Sequence, residues 1–274
     1  MLKDKCIACD QTNCLSYFKE EDKMYSCNQC AAIFVENEFD GKQAFYKESY
    51  APRFFERIFT RLIHVYISKL YSDEYIHYLK LKTKIDFKNA LDIGAKYGTL
   101  VEDLNKIGID AHGIESDQRC MQLGVTKKIK WIYFDENYQS DVKYDLICLP
   151  QMIYYLPNSY AILKCVKNML TPNGLIFIAT YNPESMILKN KLKPYMGNNI
   201  NMILSKNNFE SLNDKLGLEM LDYTTYTSNV SLDFATNRNT TIAFLKYRLK
   251  LKKGLVLNPN GFFAFVLLKN ISKS

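Results

Sequence analysis

The stretch Ala90-Leu-Asp-Ile-Gly-Ala-Lys-Tyr-Gly-Thr-Leu100 (ALDIGAKYGTL) decides the fold of this chain. It begins with a short apolar run that ends in a glycine, a pattern typical of a buried strand followed by a tight turn. The turn carries Lys96 where many nucleotide-binding loops have their middle glycine. The stretch therefore predicts a strand and a ligand-binding loop, and it raises the question of which ligand such a loop holds.

A strand–helix–strand unit is built around this loop. Residues 100–107 place apolar side chains at helical spacing, Gly108 turns the chain, and residues 111–114 form a second apolar run that ends at Glu115. Alternation of this kind predicts a parallel sheet with right-handed crossovers. Its ligand is expected over the carboxyl ends of the strands.

The loop after the first strand can be compared with the sequence patterns for two kinds of cofactor. A dinucleotide loop reads G-x-G-x-x-G, but from Gly94 this chain reads G-A-K-Y-G-T, so two glycines of that pattern are missing. A loop for S-adenosylmethionine needs an acidic residue two positions before the first glycine and another glycine four positions later. Asp92, Gly94 and Gly98 supply that frame. Asp92 is then expected to accept from the methionine ammonium and Glu115 from the ribose hydroxyls, with Asp117 as the alternative ribose acceptor.

Lys96 departs from the glycine-rich version of this loop. Because a side chain disfavours a left-handed backbone conformation, we expect ordinary backbone dihedrals at Lys96. Its ammonium is expected either to bind the carboxylate of the cofactor or to point to solvent. The frame around it is expected to bind the cofactor, although less tightly than a glycine-rich loop.

The first 35 residues contain two C-x2-C pairs, Cys6/Cys9 and Cys27/Cys30, separated by 17 residues. Two such knuckles offer four thiolates in a tetrahedron, which suits Zn²⁺. Because four cysteines leave no open coordination position, the pattern predicts a structural zinc ribbon. Cys14, between the pairs, is interpreted as a spare thiol, and the alternative for the two pairs is four unconnected thiols.

The overall composition is that of a globular protein. The chain has 274 residues, 47% of them hydrophobic, enough for one α/β core and a small additional module. The sequence predicts no membrane span and no secretory signal, so we expect a cytoplasmic protein with reduced cysteines. The net charge of +7 is moderate. The basic run at residues 246–254 is interpreted as a solvated helix face or as a contact for an acidic partner such as a membrane surface, RNA or a phosphorylated substrate.

Residues 44–83 predict one long helix, or two, between the ribbon and the sheet. Apolar side chains recur at helical spacing from Phe54 onwards, after Pro52, which favours a helix start. His64 and His77 have no metal-ligand partner in the sequence. They are interpreted as ordinary helix residues.

Three arginines repeat every four residues along the start of this helix. Arg53, Arg57 and Arg61 therefore share one side. They are interpreted as a solvated face that pairs with Glu56 and its neighbours. The alternative is contact with an anionic group of the substrate.

These features resemble the class I S-adenosylmethionine-dependent methyltransferases. More narrowly, they are similar to the branch with an N-terminal zinc ribbon, which modifies sugars and other small metabolites. The segment Cys27-Asn-Gln-Cys-Ala-Ala-Ile-Phe-Val35 resembles that branch's C-x-x-C-G-x-x-F-V with Ala31 in place of the glycine, and residues 45–50 resemble its tyrosine-rich linker. The resemblance implies an α/β Rossmann-like fold with a seven-stranded sheet, an antiparallel last strand, helices on both faces and a preceding zinc-ribbon module. The implied domains are the zinc ribbon at 1–40, a helical linker or cap at 41–85, and the methyltransferase domain at 86–274.

The resemblance also implies which residues bind the cofactor and the metal. Asp135, in a third strand at residues 130–135, lies where the family often has a carboxylate near the adenine amino group. Relatives carry Glu-His where this chain has Tyr154-Tyr155, so the histidine that acts as a base there is missing, and Tyr155 is the catalytic candidate. The implied cofactor-binding residues are Asp92, Gly94, Ala95, Lys96, Gly98, Glu115, Ser116, Asp135 and Pro150, and the implied ligands of a structural Zn²⁺ are Cys6, Cys9, Cys27 and Cys30.

The class of methyl acceptor is narrowed by motifs that the sequence lacks. After the fourth strand there is neither the Asn/Asp-Pro-Pro-Tyr typical of base amino methylation nor a Pro-Cys nucleophile for cytosine. The sequence favours a small-molecule acceptor, with a nucleotide-linked sugar or glycan precursor as the candidate, and residues 181–205 and 229–253 are expected to cover its pocket. Two alternatives stay open: an RNA methyltransferase that contacts RNA through its zinc ribbon, and a non-catalytic cofactor-binding scaffold.

Overall fold

A computed structural model describes most of the chain. The described residues are 6, 8, 12, 15–19, 24–35, 53–156, 158–185, 200–228, 255–258 and 261–271. Several features of the sequence lie outside them: Cys9, Cys14, Pro52, the linker at 45–50, residues 186–199 of the first expected cover, the second cover at 229–253 and the basic run at 246–254.

Strands and helices alternate along much of the chain after residue 88. The strands are β1 (Leu15–Lys19), β2 (Met24–Cys27), β3 (Ile33–Val35), β4 (Asn89–Ile93), β5 (Asp110–Glu115), β6 (Ile129–Trp131), β7 (Tyr144–Pro150), β8 (Leu170–Tyr181), β9 (Met202–Ile203), β10 (Leu218–Ser228), β11 (Leu255–Leu257) and β12 (Phe263–Asn270). The helices are α1 (Phe54–Thr60), α2 (Tyr66–Lys82), α3 (Thr99–Lys106), α4 (Gln118–Leu123), α5 (Ser159–Asn168) and α6 (Lys206–Leu216). A π-helical turn at Arg61–Val65 joins α1 to α2, and a short 3₁₀ turn at Ile153–Tyr155 follows β7.

The main sheet has the strand order β11-β10-β12-β8-β7-β4-β5-β6. Strands β4 to β8 are parallel to their neighbours within this set. The last strand, β12, is antiparallel to both β8 and β10. The predicted Rossmann-like seven-stranded sheet is thus confirmed, and β11 adds a short eighth strand at one edge. The carboxyl ends of five parallel strands consequently meet along one side of the sheet.

The third strand of the domain is shorter than the sequence predicts. The expected strand at residues 130–135 ends at Trp131, whose indole N–H donates to the carbonyl of Ser116 at 2.9 Å. Ile132 still donates its N–H to the carbonyl of Glu115 at 3.0 Å. The carboxylate of Asp135 then accepts from the N–H of Asn137 at 2.9 Å, which closes a turn instead of extending the strand.

The predicted helix between the two modules is one continuous rod from Phe54 to Lys82, interrupted by the π turn. In its second half, the ring of Tyr78 packs 4.4 Å from that of Phe265 on β12, measured between centroids. The Tyr78 hydroxyl also donates to Asp222 on β10 at 2.7 Å, and Lys82 pairs with the same carboxylate at 2.7 Å. These contacts fix α2 across the sheet, so that one of its faces forms a wall above the carboxyl ends of the strands.

A second, four-stranded sheet has the order β1-β2-β3-β9. Its last strand, β9, belongs to the segment between β8 and α6 of the larger domain, and Ile33 pairs there with Ile203. The hydroxyl of Ser205, which caps α6, donates to the carbonyl of Cys30 at 2.5 Å. The cysteine-bearing module therefore shares backbone hydrogen bonds with the domain that follows it.

Candidate cofactor and acceptor site

A cavity of about 490 Å³ lies over the carboxyl ends of β4, β5, β7 and β8, beneath α2. It falls within the range of about 300–1,000 Å³ that is common for small-molecule sites. Seven residues expected from the sequence line it: Asp92, Gly94, Ala95, Lys96, Glu115, Pro150 and Tyr155. The structure thus brings together residues that are up to 63 positions apart, from Asp92 to Tyr155.

Three other residues expected at the cofactor lie outside the lining of this cavity. Gly98 has φ of 76° and begins α3, and its N–H donates to the carbonyl of Ala95 at 2.7 Å. Ser116 follows β5, with its hydroxyl 3.4 Å from Oε1 of Glu115. Asp135 closes the turn after β6. Gly98 and Ser116 shape the neighbouring loops, and a contact of Asp135 with an adenine stays a prediction.

Asp92 is a buried acidic residue of the site with an unsatisfied hydrogen-bond acceptor. Its side chain is buried, and its Oδ1 has no hydrogen-bond partner among the described residues. Burial, and then the charge of Glu115, raises the pKa of Asp92 to about 8. A buried acceptor without a donor is costly, and a positively charged donor would remove both the unmet hydrogen bond and the repulsion. The carboxylate is therefore suited to an ammonium group placed in the cavity.

Glu115 is held in one orientation by the backbone. Its Oε2 accepts from the N–H of Lys96 at 2.7 Å, and its Oε1 accepts from the N–H of Asp117 at 2.7 Å. Each carboxylate oxygen has a second lone pair that can accept from a ligand. Asp117, the alternative ribose acceptor, instead caps α4 and binds the side chain of Arg119 at 3.0 Å. Glu115 is thus the better placed of the two for a pair of ligand hydroxyls.

The expectation of ordinary dihedrals at Lys96 was wrong. Lys96 has φ of 50°, in the left-handed region, as do Gly94 at 77° and Gly98 at 76°. The left-handed conformation costs a residue with a side chain roughly 1–2 kcal/mol. The hydrogen bond from Lys96 N–H to Glu115, together with the closed turn between Ala95 and Gly98, accounts for this conformation.

Two features favour glycine at position 94: a positive φ and a close neighbouring side chain. Besides its positive φ, a Cβ built there would lie 2.4 Å from Cγ and Sδ of Met152, which itself lines the cavity. A side chain at residue 94 would therefore require the side chain of Met152 to move, in addition to the strain of the positive φ.

The long helix contributes a wall of the cavity that was not expected from the sequence. His64, Ser68, Tyr71 and Tyr75 all line the cavity. Their spacing of four, three and four residues is that of one helical face, a signal that was present in the sequence. His64, interpreted as an ordinary helix residue, lies in the π-helical turn, a distortion that is frequent at functional sites. Burial, and then the charge of Lys96, lowers the pKa of His64, so that its imidazole is neutral at pH 7.

Another part of the wall is aromatic. The ring of Tyr154 lies 4.4 Å from that of Tyr155 and 4.7 Å from that of Tyr181, which in turn lies 5.2 Å from Phe262. Burial raises the pKa of Tyr155, and burial followed by the Tyr155 hydroxyl raises the pKa of Tyr181. The Tyr154 hydroxyl donates to Oε1 of Gln151 at 2.8 Å. The phenols therefore keep their protons at neutral pH and offer hydrogen bonds and flat apolar faces, not bases.

The turn that carries Tyr154 and Tyr155 is anchored to the second sheet. The N–H of Asn201 donates to the carbonyl of Tyr154 at 2.8 Å, and its side-chain amide donates to the carbonyl of Tyr155 at 2.7 Å. Asn201 directly precedes β9, which pairs with β3 of the cysteine module. The cavity wall and the cysteine module are thus joined through one short segment.

Three of the four expected metal ligands lie together. The sulfur atoms of Cys6, Cys27 and Cys30 are within 4.8 Å of one another, and all three residues are buried. The N–H of Ala8 points at the sulfur of Cys6 at 3.4 Å. The neighbouring Cys6 thiol lowers the pKa of Cys30 to about 5, against the opposing effect of burial. The donor set fits a soft divalent metal, and the fourth expected ligand, Cys9, lies outside the described residues.

Ala31 occupies the position of the glycine in the ribbon pattern C-x-x-C-G. It has φ of 57°, and its N–H donates to the carbonyl of Cys27 at 2.9 Å. A residue in this left-handed conformation closes the second knuckle. Glycine adopts it without strain, which is the physical reason for the glycine in C-x-x-C-G.

Replacement of Asp92 by Asn is expected to stabilise the cofactor-free protein at pH 8. The folded pKa of about 8 lies above the unfolded value of about 3.9, so the folded state binds more protons between these values. The contribution of Asp92 protonation to the free energy of unfolding is fully present below about pH 4 and is lost as the pH rises through 8. Asp92→Asn should therefore gain about 1–3 kcal/mol at pH 8 and less at pH 5, as measured by urea unfolding.

Glu74→Gln is the matched control for this experiment. Glu74 is buried outside the cavity lining, accepts from Ser228 at 3.0 Å, and has its pKa raised to about 8, chiefly by burial. Glu74→Gln should raise the free energy of unfolding at pH 8, as Asp92→Asn does, and should leave ligand binding unchanged. An Asp92→Asn protein whose stability relative to wild type is the same at pH 5 and pH 8 would contradict the assignment of a protonated Asp92.

Comparison with known proteins assigns the chain to a family. The family model described as a methyltransferase domain matches residues 64–223, more than half of the chain. The ubiquinone biosynthesis O-methyltransferase of Pasteurella multocida is 29% identical over 113 residues, which are 35% of this chain and 47% of the relative. The chain spans about half the length of the curated relatives that it matches.

Solved structures share the fold. A complex between the Haloferax volcanii Trm112 methyltransferase activator and a protein described as a putative methyltransferase matches with a TM-score of 0.52 at 13% identity, over 76% of this chain and 96% of the matched chain. The plantazolicin methyltransferase BpumL, in complex with a pentazolic desmethylPZN analogue and S-adenosylhomocysteine, has a TM-score of 0.50 at 17% identity and covers 75% of this chain and 85% of its own. The predicted family is therefore confirmed: the chain belongs to the methyltransferase-domain family and carries a class I S-adenosylmethionine-dependent methyltransferase domain.

Proposed function

We propose that this protein transfers the methyl group of S-adenosylmethionine to a hydroxyl group of a small molecule. The observation that supports the proposal is the buried carboxylate of Asp92, which faces the same cavity as the oriented carboxylate of Glu115 and whose Oδ1 has no hydrogen-bond partner among the described residues. A scaffold that holds no cofactor would retain this cost without a benefit.

The residues of the cavity fit the methyl donor. Asp92 would bind the ammonium of the methionine end, and Glu115 the two hydroxyls of the ribose. The left-handed turn from Gly94 to Gly98 lets the backbone pass close to both. Lys96 is exposed at the cavity, where its ammonium would bind the carboxylate of the methionine end. When bound, the cofactor supplies an electrophilic methyl group on a sulfonium, and the protein supplies orientation and a dry site.

The aromatic wall supports a small acceptor with a ring-shaped body. Tyr155 and Tyr181 offer protonated phenols, and Phe262 adds a flat apolar surface. A sugar ring of a nucleotide-linked sugar or glycan precursor can stack on such rings and hydrogen-bond to their hydroxyls. An oxygen nucleophile is supported by the curated relatives, which are named O-methyltransferases.

His64 is proposed to take the proton of the acceptor hydroxyl. In the transfer, the acceptor oxygen forms a bond to the methyl carbon while the carbon–sulfur bond breaks, and the hydroxyl proton must leave. The imidazole of His64 lines the cavity and is neutral at pH 7. It would therefore supply the base that the Tyr154-Tyr155 pair does not. Tyr155 would orient the acceptor.

Glu115→Ala should weaken the binding of S-adenosylhomocysteine roughly ten- to a hundredfold. The variant loses two hydrogen bonds to a charged acceptor, about 1.5–3 kcal/mol in total. Calorimetric titration measures this directly. Asp117→Ala is the matched control, because Asp117 is engaged with α4 and Arg119 and should change the affinity by no more than about threefold. Thermal unfolding of each variant checks that the variant is folded, so that a loss of affinity is not caused by unfolding. No binding by the folded wild type would contradict the proposed function.

His64→Gln should lower the turnover of a hydroxyl acceptor by about a hundredfold or more, because a general base contributes on that order. The acceptor is found by incubating wild type with labelled methyl donor and a panel of nucleotide sugars, phenols, amines and RNA oligonucleotides. The affinity for S-adenosylhomocysteine should stay within about threefold of wild type. His77→Gln is the control on the exposed face of the same helix. Undiminished turnover by His64→Gln, or transfer to RNA alone, would contradict this part of the proposal.

We also propose that Cys6, Cys9, Cys27 and Cys30 bind a structural zinc ion as the centre of a zinc ribbon at residues 1–40. The support is the buried cluster of three thiols and the N–H of Ala8 directed at one of them. Such a metal would order a module too small for its own core. Because β3 pairs with β9, it would also hold Asn201 against the turn of Tyr154 and Tyr155.

One zinc ion per chain is the expected metal content, measured by mass spectrometry of the purified protein. Cys27→Ser and Cys30→Ser should lose the metal, and Cys14→Ser, the matched control, should keep it. Removal of the metal should lower thermal stability and should weaken acceptor binding more than cofactor binding. Full stability and acceptor binding without metal would exclude a structural role.

A further inference from the structure

The first turns of the long helix carry an unusual apolar surface. Here the α1 apolar face denotes Phe54, Phe55, Ile58, Phe59 and Leu62, whose exposed fractions are 70%, 81%, 42%, 56% and 53%. The rings of Phe54 and Phe55 also contact each other, with centroids 5.7 Å apart. Single exposed apolar residues are common on proteins, but five within nine positions of one helix form a continuous patch, and such patches mark interaction sites.

The helix is oriented with its apolar side away from the protein. At helical spacing the five residues share one side, whereas Thr60, the buried residue of α1, lies on the opposite side. Arg57 and Arg61 are exposed and lie towards one edge of the apolar side. The helix thus presents aromatic and aliphatic side chains bordered on one edge by two positive charges.

We propose that the α1 apolar face binds the surface of an anionic lipid bilayer. Helices that lie in the plane of a membrane interface carry phenylalanine and leucine on one side and basic residues beside them, as this helix does. The apolar side chains would enter the boundary between headgroups and acyl chains, and the arginines would contact lipid phosphates. None of the helices in the described ranges has the length and apolar character to cross a bilayer, so the contact is peripheral.

Charge favours a bilayer over a second copy of this chain. A symmetric contact through the same face would bring together the edges of two identical helices, and thus Arg57 and Arg61 of both copies. Anionic headgroups neutralise these charges instead. The bilayer would lie beside the cavity, because the ring of Phe59 lies 6.0 Å from that of His64, which lines it.

The test is cosedimentation of the full-length, metal-loaded protein with lipid vesicles. Wild type should bind vesicles of phosphatidylcholine and phosphatidylglycerol, at least tenfold more tightly than pure phosphatidylcholine, and more weakly at high salt. The triple variant Phe54→Ser, Phe55→Ser, Phe59→Ser and the double variant Arg57→Glu, Arg61→Glu should each lose at least tenfold in vesicle affinity. Leu221→Ser and Val142→Ser, which alter exposed apolar residues elsewhere, are the matched controls and should bind like wild type.

Titration with S-adenosylhomocysteine keeps this test separate from that of the proposed function. Each variant should bind S-adenosylhomocysteine with the affinity of wild type. This result would show that the fold of the variant is intact. Two results would overturn the proposal: no binding of wild type to the anionic vesicles, or self-association of wild type that the triple variant abolishes in analytical ultracentrifugation. The second result would assign the face to another copy of the chain.

Discussion

The central physical constraint of this molecule is the burial of two carboxylates at neighbouring strand ends. Asp92 ends up buried at the carboxyl end of β4, and Glu115 ends β5, where backbone N–H groups hold it in place. Desolvation of Asp92, and then the charge of Glu115, raises the pKa of Asp92 to about 8, so that its ionised form is costly in the unliganded protein. A cationic ligand group would stabilise that ionised form. The glycine turn, the parallel order of the strands and the wall of α2 all serve to present these carboxylates to one cavity.

The sequence was most informative where the determinants of structure are local. The apolar run of residues 90–93, the glycines of the loop and the position of Glu115 predicted the strand, the turn and both carboxylates that line the cavity. The dihedral of Lys96 could not be read in this way, because a hydrogen bond to Glu115, 19 residues away in sequence, holds it in place. The end of β6 was misjudged since a turn at Asp135 outweighs the apolar pattern of the segment.

Long-range packing also hid the role of the helix and of the cysteine module. The face with His64 and Tyr71 has helical spacing, but only the contacts of α2 with the sheet direct it into the cavity. Strand β9 has two residues, too few to produce a pattern in the sequence. Its pairing with β3 nevertheless joins the cysteine module to the turn of Tyr154 and Tyr155 through Asn201. The candidate metal centre and the aromatic wall of the cavity are therefore parts of one hydrogen-bonded unit.

The most direct test of this account counts the protons released when S-adenosylhomocysteine binds. Calorimetric titrations at pH 7 in buffers of different ionisation enthalpy give this number. If Asp92 is protonated in the free protein and pairs with the ligand ammonium, which is itself largely protonated at pH 7, about 0.5–1 proton should be released per ligand. Asp92→Asn should bind more weakly and release essentially none. Equal proton release by the two proteins would contradict the role of Asp92 on which the account rests.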